Sequence, residues 1–329
     1  FFQYDASDTT SADNSGTIIV DASLRRWKRV FYGAVDLKWF GAVGDGVADD
    51  AAAFALAFSV SNSVQLTTGN YKVSTSAVVP NAARLIGDYN GSSKITISTD
   101  NVAVTLFGSM SDIEVTKSGL HTKNLIEVGS ISTTASRPHI IGIYVHGAGN
   151  DGIQIINGNL GTLQSVTSTL NGRDGVNFSL DTPDNNAWTI QGFNDFSQNT
   201  RDGLNFTMGT SAVDANASKS NFVRGGQASF NGRYGVYSGT RSNSIHMYCE
   251  GNAIRDFFLD TYAYGNELTI LQGTYTNNGK YNVISDNNIQ ATYARGLAVG
   301  VGVKILDDGF NVTDPYTLDS YIESIQTSL

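Results

Sequence analysis

Two aspartates hold the same position in a repeated phrase and are the first candidates for acid/base chemistry. Asp174 lies in Asn171-Gly-Arg-Asp-Gly-Val176, and Asp202 lies in Asn199-Thr-Arg-Asp-Gly-Leu204. If the two phrases stack as neighbouring strands, equivalent positions lie about 4.8 Å apart. Carboxylates about 5–5.5 Å apart suit a retaining glycosidase, in which one is the general acid and the other the nucleophile. A turn role competes with this interpretation, because Asp is a common turn residue.

A second set of acids is an open alternative for the same chemistry. Glu250 lies two residues before the repeated Asn and Asp195 lies four before it, while Glu267 belongs to the next repeat. Glutamate is not favoured on strands by propensity, which supports a specific role for Glu250. The sequence leaves open whether the catalytic pair comes from this set or from the two aspartates of the repeated phrase.

Basic and aromatic side chains near these acids are candidates for binding a saccharide. Arg173, Arg201 and Arg233 lie two residues past the repeated Asn. Arginine binds carboxylates through two hydrogen bonds, so one interpretation is a groove for an anionic saccharide. The other is a solvated column of cations, partly neutralised by Asp174 and Asp202. Aromatic faces stack on sugar rings. The aromatic residues expected at the surface, because they sit at turns, are Trp188, Tyr234 and Tyr281.

The repeated phrase itself predicts the architecture that must position these side chains. Its copies follow one another at intervals of between 21 and 32 residues. Short runs of alternating apolar and polar residues flank each copy, as in half-buried strands, and Asn and Gly between them suit corners with positive φ. The pattern predicts an all-β fold, a right-handed single-stranded parallel β-helix. Its corner column of hydrogen-bonded asparagines would contain Asn171, Asn199, Asn231, Asn252 and Asn278.

The ends of the chain differ from this repeat. Residues 1–40 are predicted to be a neck or docking segment, and residues 41–295 the β-helix. Asp49 or Asp50 is placed to cap an alanine-rich helix near 49–61, whose Phe54 and Phe58 would cover the open end of the solenoid. Residues 296–329 end in a pattern of helical spacing, which predicts either a cap for the last coil or a contact between subunits.

Composition narrows the classes of function. The net charge of −9 argues against binding to duplex nucleic acid. Cys249 is the single cysteine, which excludes a disulfide framework, and we interpret it as a core residue. No cofactor is predicted, since the four histidines lack metal-ligand spacing and no phosphate-binding loop is present. No apolar run approaches the roughly 20 residues needed to insert into a membrane. The start at Phe1 rather than Met suggests a fragment of a longer protein.

One stretch resembles a known family. Trp39-Phe-Gly-Ala-Val-Gly-Asp-Gly-Val-Ala-Asp-Asp50, followed by the alanine-rich helix, resembles the start of pectate-lyase-like β-helix domains. Thr17-Ile-Ile-Val-Asp21 and Arg25-Arg-Trp-Lys-Arg29 resemble the neck before that domain in bacteriophage tailspikes. The resemblance implies a homotrimer in the virion tail, joined to other tail proteins through its N-terminal side. It also implies action at the host cell surface on a capsule or O-antigen.

The resemblance is specific for fold and not for chemistry, so several functions stay open. The first is glycoside hydrolysis by two carboxylates. The second is a polysaccharide lyase on the same fold, in which Arg or Lys stabilises an enolate. The third is a receptor-binding module that leaves the saccharide intact, and the last is a structural spacer. No catalytic motif matches residue by residue, so no family role is assigned to an individual side chain.

Overall fold

The structure is a computed structural model. It describes residues 1–88, 92–179, 185–207, 219–240 and 242–259, followed by the five strands Glu267–Gln272, Tyr281–Val283, Asn288–Ala291, Leu297–Val299 and Lys304–Ile305. The described chain is almost entirely β-strand, with an α-helix and a short 3-10 helix near the start. None of the described helices has the length and apolarity needed to span a membrane.

The first strands form a small antiparallel sheet. Numbered in chain order, they are β1 (Phe2–Tyr4), β2 (Ile18–Val20) and β3 (Arg26–Arg29), with β3 in the middle. Ionic contacts hold the sheet, because Lys28 Nζ lies 2.7 Å from Asp5 Oδ2 and 2.9 Å from Asp8 Oδ2. This segment is the part of the chain predicted to be a neck.

Three parallel sheets follow. The twelve- and ten-stranded sheets continue to the last described coils, whereas the six-stranded sheet ends at Thr167–Thr169. The described strands of the twelve-stranded sheet are β4 (Val35–Asp36), β6 (Ser63–Leu66), β9 (Arg84–Gly87), β12 (Ser109–Ser111), β16 (His139–Ile141), β20 (Thr162–Gln164), β23 (Thr189–Gln191), β25 (Phe222–Gln227), β27 (Ser244–Cys249), β29 (Glu267–Gln272), β31 (Asn288–Ala291) and β33 (Lys304–Ile305). Those of the six-stranded sheet are β5 (Asp45–Asp49), β7 (Gly69–Val73), β10 (Ser93–Ile97), β13 (Glu114–Lys117), β17 (Tyr144–His146) and β21 (Thr167–Thr169). Those of the ten-stranded sheet are β8 (Ala77–Val79), β11 (Val104–Leu106), β14 (Ile126–Val128), β18 (Ile153–Ile155), β22 (Val176–Phe178), β24 (Leu204–Phe206), β26 (Tyr234–Ser238), β28 (Arg255–Leu259), β30 (Tyr281–Val283) and β32 (Leu297–Val299). The short strands β15 (Ala135–Ser136) and β19 (Gly158–Asn159) pair separately.

One turn of the chain, which we call a coil, visits the sheets in order and then stacks on the coil before it. In one coil the chain passes through β20, β21 and β22, and the next coil passes through β23 and β24 in parallel register. Between those last two strands, Asp195 bridges to Thr167 of β21 on one side and to Gln227 on the other. The parallel β-helix predicted from the repeat is therefore confirmed.

Every second residue of these strands points into a continuous apolar core. In the twelve-stranded sheet, for example, the fully or almost fully buried column contains Leu163, Ile190, Val223 and Ile245. Cys249 is buried in the same core, as its interpretation as a small core residue requires. Stacking coils bury this face continuously, whereas one coil alone would leave it exposed to water.

The open end of the core is covered by the predicted helix, α1 (Ala51–Val60). Ala53, Phe54 and Ala57 are buried, and Phe58 packs against the core from a partly buried position. The two predicted capping residues differ in role. Asp49 Oδ1 accepts a hydrogen bond from Ala51 N–H at 3.2 Å. Asp50 instead accepts the N–H groups of Val43 and Gly44, so it ties the preceding loop to the helix start.

Candidate functional site

A column of buried asparagines forms one corner of the solenoid. Asn171 Nδ2 donates to Asn199 Oδ1 at 2.9 Å, Asn199 Nδ2 to Asn231 Oδ1 at 3.2 Å, and Asn231 Nδ2 to Asn252 Oδ1 at 2.9 Å. Each oxygen also accepts the main-chain N–H of the asparagine in the preceding coil. The predicted column is confirmed for these four members, and Asn278 lies outside the described residues.

The positive φ of this corner falls on the residue before each asparagine. Leu170, Gln198 and Phe230 have φ of 57°, 60° and 57°. The expectation that Asn and Gly of the repeated phrase take this conformation was wrong. Hydrogen bonds along the asparagine column fix the backbone of each asparagine. The left-handed conformation that turns the chain therefore falls on the residue before it. A residue with a Cβ pays about 1–2 kcal/mol for left-handed backbone.

Just past the asparagines, arginines and aspartates form a ladder offset by one coil. Arg173 donates from Nε to Asp151 Oδ1 at 2.6 Å, Arg201 from Nε to Asp174 Oδ1 at 2.7 Å, and Arg233 from Nε to Asp202 Oδ1 at 2.8 Å. Each arginine also donates from Nη2 to the other oxygen of the same carboxylate. Each pair is thus bidentate and links neighbouring coils.

This ladder corrects the prediction that Asp174 and Asp202 face a groove. Both side chains are fully buried. Asp174 also accepts hydrogen bonds from Asp202 N–H at 3.1 Å and from Asn205 Nδ2 at 2.9 Å. Both carboxylate oxygens of Asp174 therefore accept hydrogen bonds from the protein in the interior of the solenoid, where no substrate reaches them. The repeated Asp is a structural residue because its carboxylate holds the next coil.

The three arginines of the ladder likewise link neighbouring coils and are not free to bind a substrate. The side chains of Arg173, Arg201 and Arg233 remain 32%, 33% and 30% exposed, but their charges are bonded to aspartates one coil back. Burial acts to lower the pKa of Arg201, but the hydrogen bonds to Asp174 and the negative charges of Asp174, Asp202 and Asp151 together outweigh it and raise that pKa. The expected groove for an anionic saccharide lacks free cations at this position.

The predicted aromatic contacts also change. Trp188 is fully buried, and its Nε1 donates to Gly158 O at 2.6 Å. Its burial was missed because it depends on Gly161 in the preceding coil, where an added Cβ would lie 2.5 Å from the indole ring. Tyr234 is partly buried and stacks on Phe258 with ring centroids 4.7 Å apart. The side chain of Tyr281 lies outside the described part of the chain.

A surface cavity of about 400 Å³, which we call the groove, lies on the other side of the asparagine corner. It brings together two acids of the second predicted set, Asp195 and Glu250, which are both half-buried. Its remaining lining residues are Tyr144, Thr167, Thr169, Leu170, Ser197, Gln198, Gln227, Ser229 and Phe230. The buried side chains of Ser197 and Ser229 form the floor between the two acids, where Glu250 N–H donates to Ser229 Oγ at 3.2 Å. Glu267, the third acid of that set, has no described side chain.

The stacking register fixes how far apart the two acids are. Asp195 aligns with Gln227, which aligns with Tyr248, and Glu250 lies two residues beyond Tyr248. Two coil steps give about 9.6 Å along the axis, and two residues give about 6.6 Å across it, so the Cα atoms lie about 12 Å apart. Asp195 Oδ1 accepts the N–H of Ser197 at 3.1 Å, which holds this carboxylate in place.

The groove is acidic. Asp195 and Glu250 are its charged residues, and no Lys or Arg is present among the described side chains that line it. On the six-stranded sheet beside it, Lys94 Nζ and His146 Nε2 lie 2.7 and 3.0 Å from Glu114 Oε1. Burial acts to raise the pKa of Glu114, and the bonds from His146 and Lys94 outweigh it and lower that pKa. A bound group that carries negative charge would therefore be repelled here.

The rim of the groove, formed by Leu170, Gln198 and Phe230, was not predicted from the sequence. Leu170, Gln198 and Phe230 were not among the candidate residues, although each directly precedes an asparagine of the repeated phrase. That position was the available signal, because a corner residue outside the core must point to the surface. No group of His, Cys, Asp and Glu side chains suited to hold a metal ion occurs among the residues that the structure describes.

Comparison with known proteins finds a family model that matches the N-terminal segment. Residues 1–32 match the model described as phage tail protein small four-stranded beta-sheet domain. This segment contains β1, β2 and β3, the antiparallel sheet that precedes the solenoid. The sequence resemblance to the neck region of tail proteins falls on the same segment.

Solved structures resemble the solenoid. The protein ORF18 of Geobacillus virus E2 has a TM-score of 0.61 at 17% identity, covering 92% of this chain and 69% of that one. The A-module of the mannuronan C-5 epimerase AlgE6 of Azotobacter vinelandii has a TM-score of 0.52 at 18% identity, covering 83% and 96%. The enzymatically active domain of tailspike protein 4 of bacteriophage CBA120 has a TM-score of 0.56 at 13% identity.

These likenesses concern the fold. The match to the CBA120 domain covers 95% of this chain and 49% of that domain, so the chain spans about half its length. At identities this low, a shared β-helix does not carry a reaction from one protein to another. The predicted resemblance to tailspikes with a pectate-lyase-like β-helix is confirmed at the level of architecture.

Proposed function

We propose that this chain is a phage tailspike that binds a bacterial surface polysaccharide in the groove and hydrolyses it. The phage tail match of residues 1–32 and the likeness of the solenoid to a tailspike domain support a place in the virion tail, acting at the host surface. The observation that carries the chemistry is the meeting of Asp195 and Glu250 in one cavity. A pair of carboxylates across a saccharide groove is what acid/base glycoside hydrolysis requires.

The separation of the two acids favours an inverting mechanism. A backbone spacing of about 12 Å, derived from the strand spacing and the residue rise, is too wide for a nucleophile and an acid about 5–5.5 Å apart. Side chains that converge over the floor bring the carboxyl groups toward the roughly 6.5–9.5 Å of inverting enzymes, which leaves room for a water molecule.

The surroundings of the two acids suggest their roles. Asp195 is held in place by the main-chain N–H of Ser197 and is assigned as the base that activates water. Glu250 lies beside the apolar rim residue Phe230 in the groove and is assigned as the general acid that protonates the leaving oxygen.

The electrostatics of the groove favour a neutral saccharide over a uronate polymer. A lyase acting on uronates needs a positive group at the carboxylate that becomes an enolate. The described lining supplies two acids and no cation, and the arginines of the repeated phrase are bonded to Asp151, Asp174 and Asp202. Hydrolysis of a neutral segment is therefore the reaction that the site supports best.

The test is to replace each acid by its amide and measure cleavage of host capsule and O-chain polysaccharide as new reducing ends. We expect Asp195→Asn and Glu250→Gln each to lower the rate by about 10²–10⁴-fold, the usual contribution of a positioned acid or base. Saccharide binding and thermal stability should be retained. The matched control is Glu127→Gln, which alters an acid on the ten-stranded sheet outside the groove.

Three outcomes would contradict the proposal. Full activity of both amide variants would remove the two acids from the mechanism. Absorbance of an unsaturated uronate among the products would identify a lyase. Binding of the polysaccharide without cleavage by the wild-type chain would identify a receptor-binding module.

A further inference from the structure

The residues that directly precede the asparagine column are glycine away from the groove and have side chains beside it. Stacking places Gly147, Leu170, Gln198, Phe230 and Gly251 at equivalent positions, each directly before a member of the asparagine corner or its counterpart Ala148. All five have positive φ, between 57° and 76°. Glycine, which takes this conformation without strain, occupies the first and last of these five described positions. The three positions that line the groove carry side chains instead.

The neighbouring glycine makes room for one of these side chains. A Cβ added to Gly251 would lie 2.5 Å from Cδ1 and Cε1 of Phe230, so the phenyl ring covers the backbone of the next coil. That backbone belongs to the residue directly after Glu250. The ring is 47% exposed despite this contact, and Leu170 is 58% exposed. Two apolar side chains thus stand in solvent on the rim, one of them beside an acid.

We propose that Leu170 and Phe230 are specificity-determining residues that stack on two sugar rings of the polysaccharide. They are two coils apart, about 9.6 Å from the strand spacing, which is the scale of a disaccharide. Gln198 lies between them and offers an amide to the hydroxyl groups. Apolar side chains bury the C–H face of a sugar ring, so they select rings with an unobstructed apolar face. This inference rests on the proposed saccharide function of the groove.

A positive φ alone does not mark a saccharide-binding residue, because Leu160 has the same conformation outside the groove. Leu160 is the same residue type as Leu170, has φ of 56°, and is 52% exposed. It lies before β20 at another corner and is not part of the groove. A change at Leu160 therefore reproduces the effect on backbone strain without touching the proposed contact.

The experiment compares Leu170→Gly, Phe230→Gly and Leu160→Gly in the full chain. Glycine suits the corner, so we expect all three variants to fold with melting temperatures no lower than the wild type. The probe is an array of purified neutral capsule and O-chain polysaccharides, read as dissociation constants. We expect Leu170→Gly and Phe230→Gly to weaken binding about tenfold, consistent with the loss of one ring contact. Leu160→Gly should bind as the wild type does.

Cleavage kinetics give a second readout. Leu170→Gly should raise KM and leave kcat nearly unchanged, because Leu170 binds a ring that does not react. Phe230→Gly also removes the apolar neighbour of Glu250, so for that variant the dissociation constant is the readout. Unchanged affinity of both rim variants, or wild-type binding to none of the neutral glycans, would overturn the inference. If Glu250→Gln abolishes cleavage while the rim variants bind normally, only the rim assignment fails. If the wild type binds but does not cleave, and rim variants bind weakly, the rim assignment stands without hydrolysis.

Discussion

Aspartate takes two roles in this chain: it pairs with arginine in the buried ladder, and it faces solvent in the groove. The ladder begins with Asp151, which has Asn150 before it instead of an arginine, and ends with Arg233, which has Tyr234 after it instead of an aspartate. Three acids and three bases therefore match when shifted by one coil. The repeated aspartates are buried and paired, whereas Asp195 is half-buried and faces the groove.

At this scale we predict that Asp174→Asn and Asp195→Asn have opposite effects. Loss of the Asp174 charge removes the bidentate partner of Arg201 and leaves it only the 3.6 Å contact from Nε to Asp202 Oδ2. Breaking a buried pair in this way costs up to about 3–5 kcal/mol. Asp195→Asn should leave the unfolding midpoint nearly unchanged and abolish cleavage. Urea unfolding and reducing-end assays on both variants check this. Equal stability of the two variants would mean that the ladder does not hold the coils.

The corner is the element that makes this solenoid regular. Asn199 shows why, since its amide donates to the carbonyl oxygens of Ser168 and Phe196 at 3.1 Å and its oxygen accepts from Asn171. A buried corner leaves main-chain groups without water, and one inward asparagine per coil satisfies several of them. Because the asparagine is fixed inward, the preceding residue points outward, and the rim of the groove follows from the corner.

The N-terminal sheet gives a prediction about pH. Hydrogen bonds from Lys28 and Ser7 lower the pKa of Asp5 to about 2, and bonds from Trp27 and Arg25 lower the pKa of Asp21. These folded-state values lie below the unfolded value of about 3.9. The carboxylates therefore contribute stability above about pH 4 that is lost as the pH falls toward 2. Hydrogen-exchange protection of peptides from residues 1–32 should fall over that interval.

A variant separates this effect from general acid unfolding. Asp5→Asn combined with Asp21→Asn should show, already at pH 7, the weak protection that the wild-type sheet reaches only in acid. The solenoid peptides of the same variant should keep their protection at pH 7. Wild-type protection of residues 1–32 in the double variant would show that these ion pairs do not hold the sheet.

At the scale of the whole molecule we propose a homotrimer joined near its N-terminal side. The first residues expose large apolar side chains, with Phe1 83%, Leu24 71% and Tyr32 97% exposed. A contiguous exposed apolar patch is typical of an interface, and these side chains are the candidates for one at this end of the chain. We predict a mass of three chains by light scattering at micromolar concentration. Replacement of Phe1 and Tyr32 by serine should lower that mass, and a monomeric wild type would contradict the proposal.

The sequence alone determined the stack of parallel coils, the asparagine corner and the helix that closes the first coil. These features follow from local pattern, because strand periodicity and corner residues repeat with each coil. Only the tertiary structure decided which acids face water. A shift of one residue at a corner turns a side chain from surface to interior. The arginine partner of each ladder aspartate also lies one whole coil further along the chain. Asp174 and Asp202 are therefore buried between coils, whereas Asp195 and Glu250 line the groove.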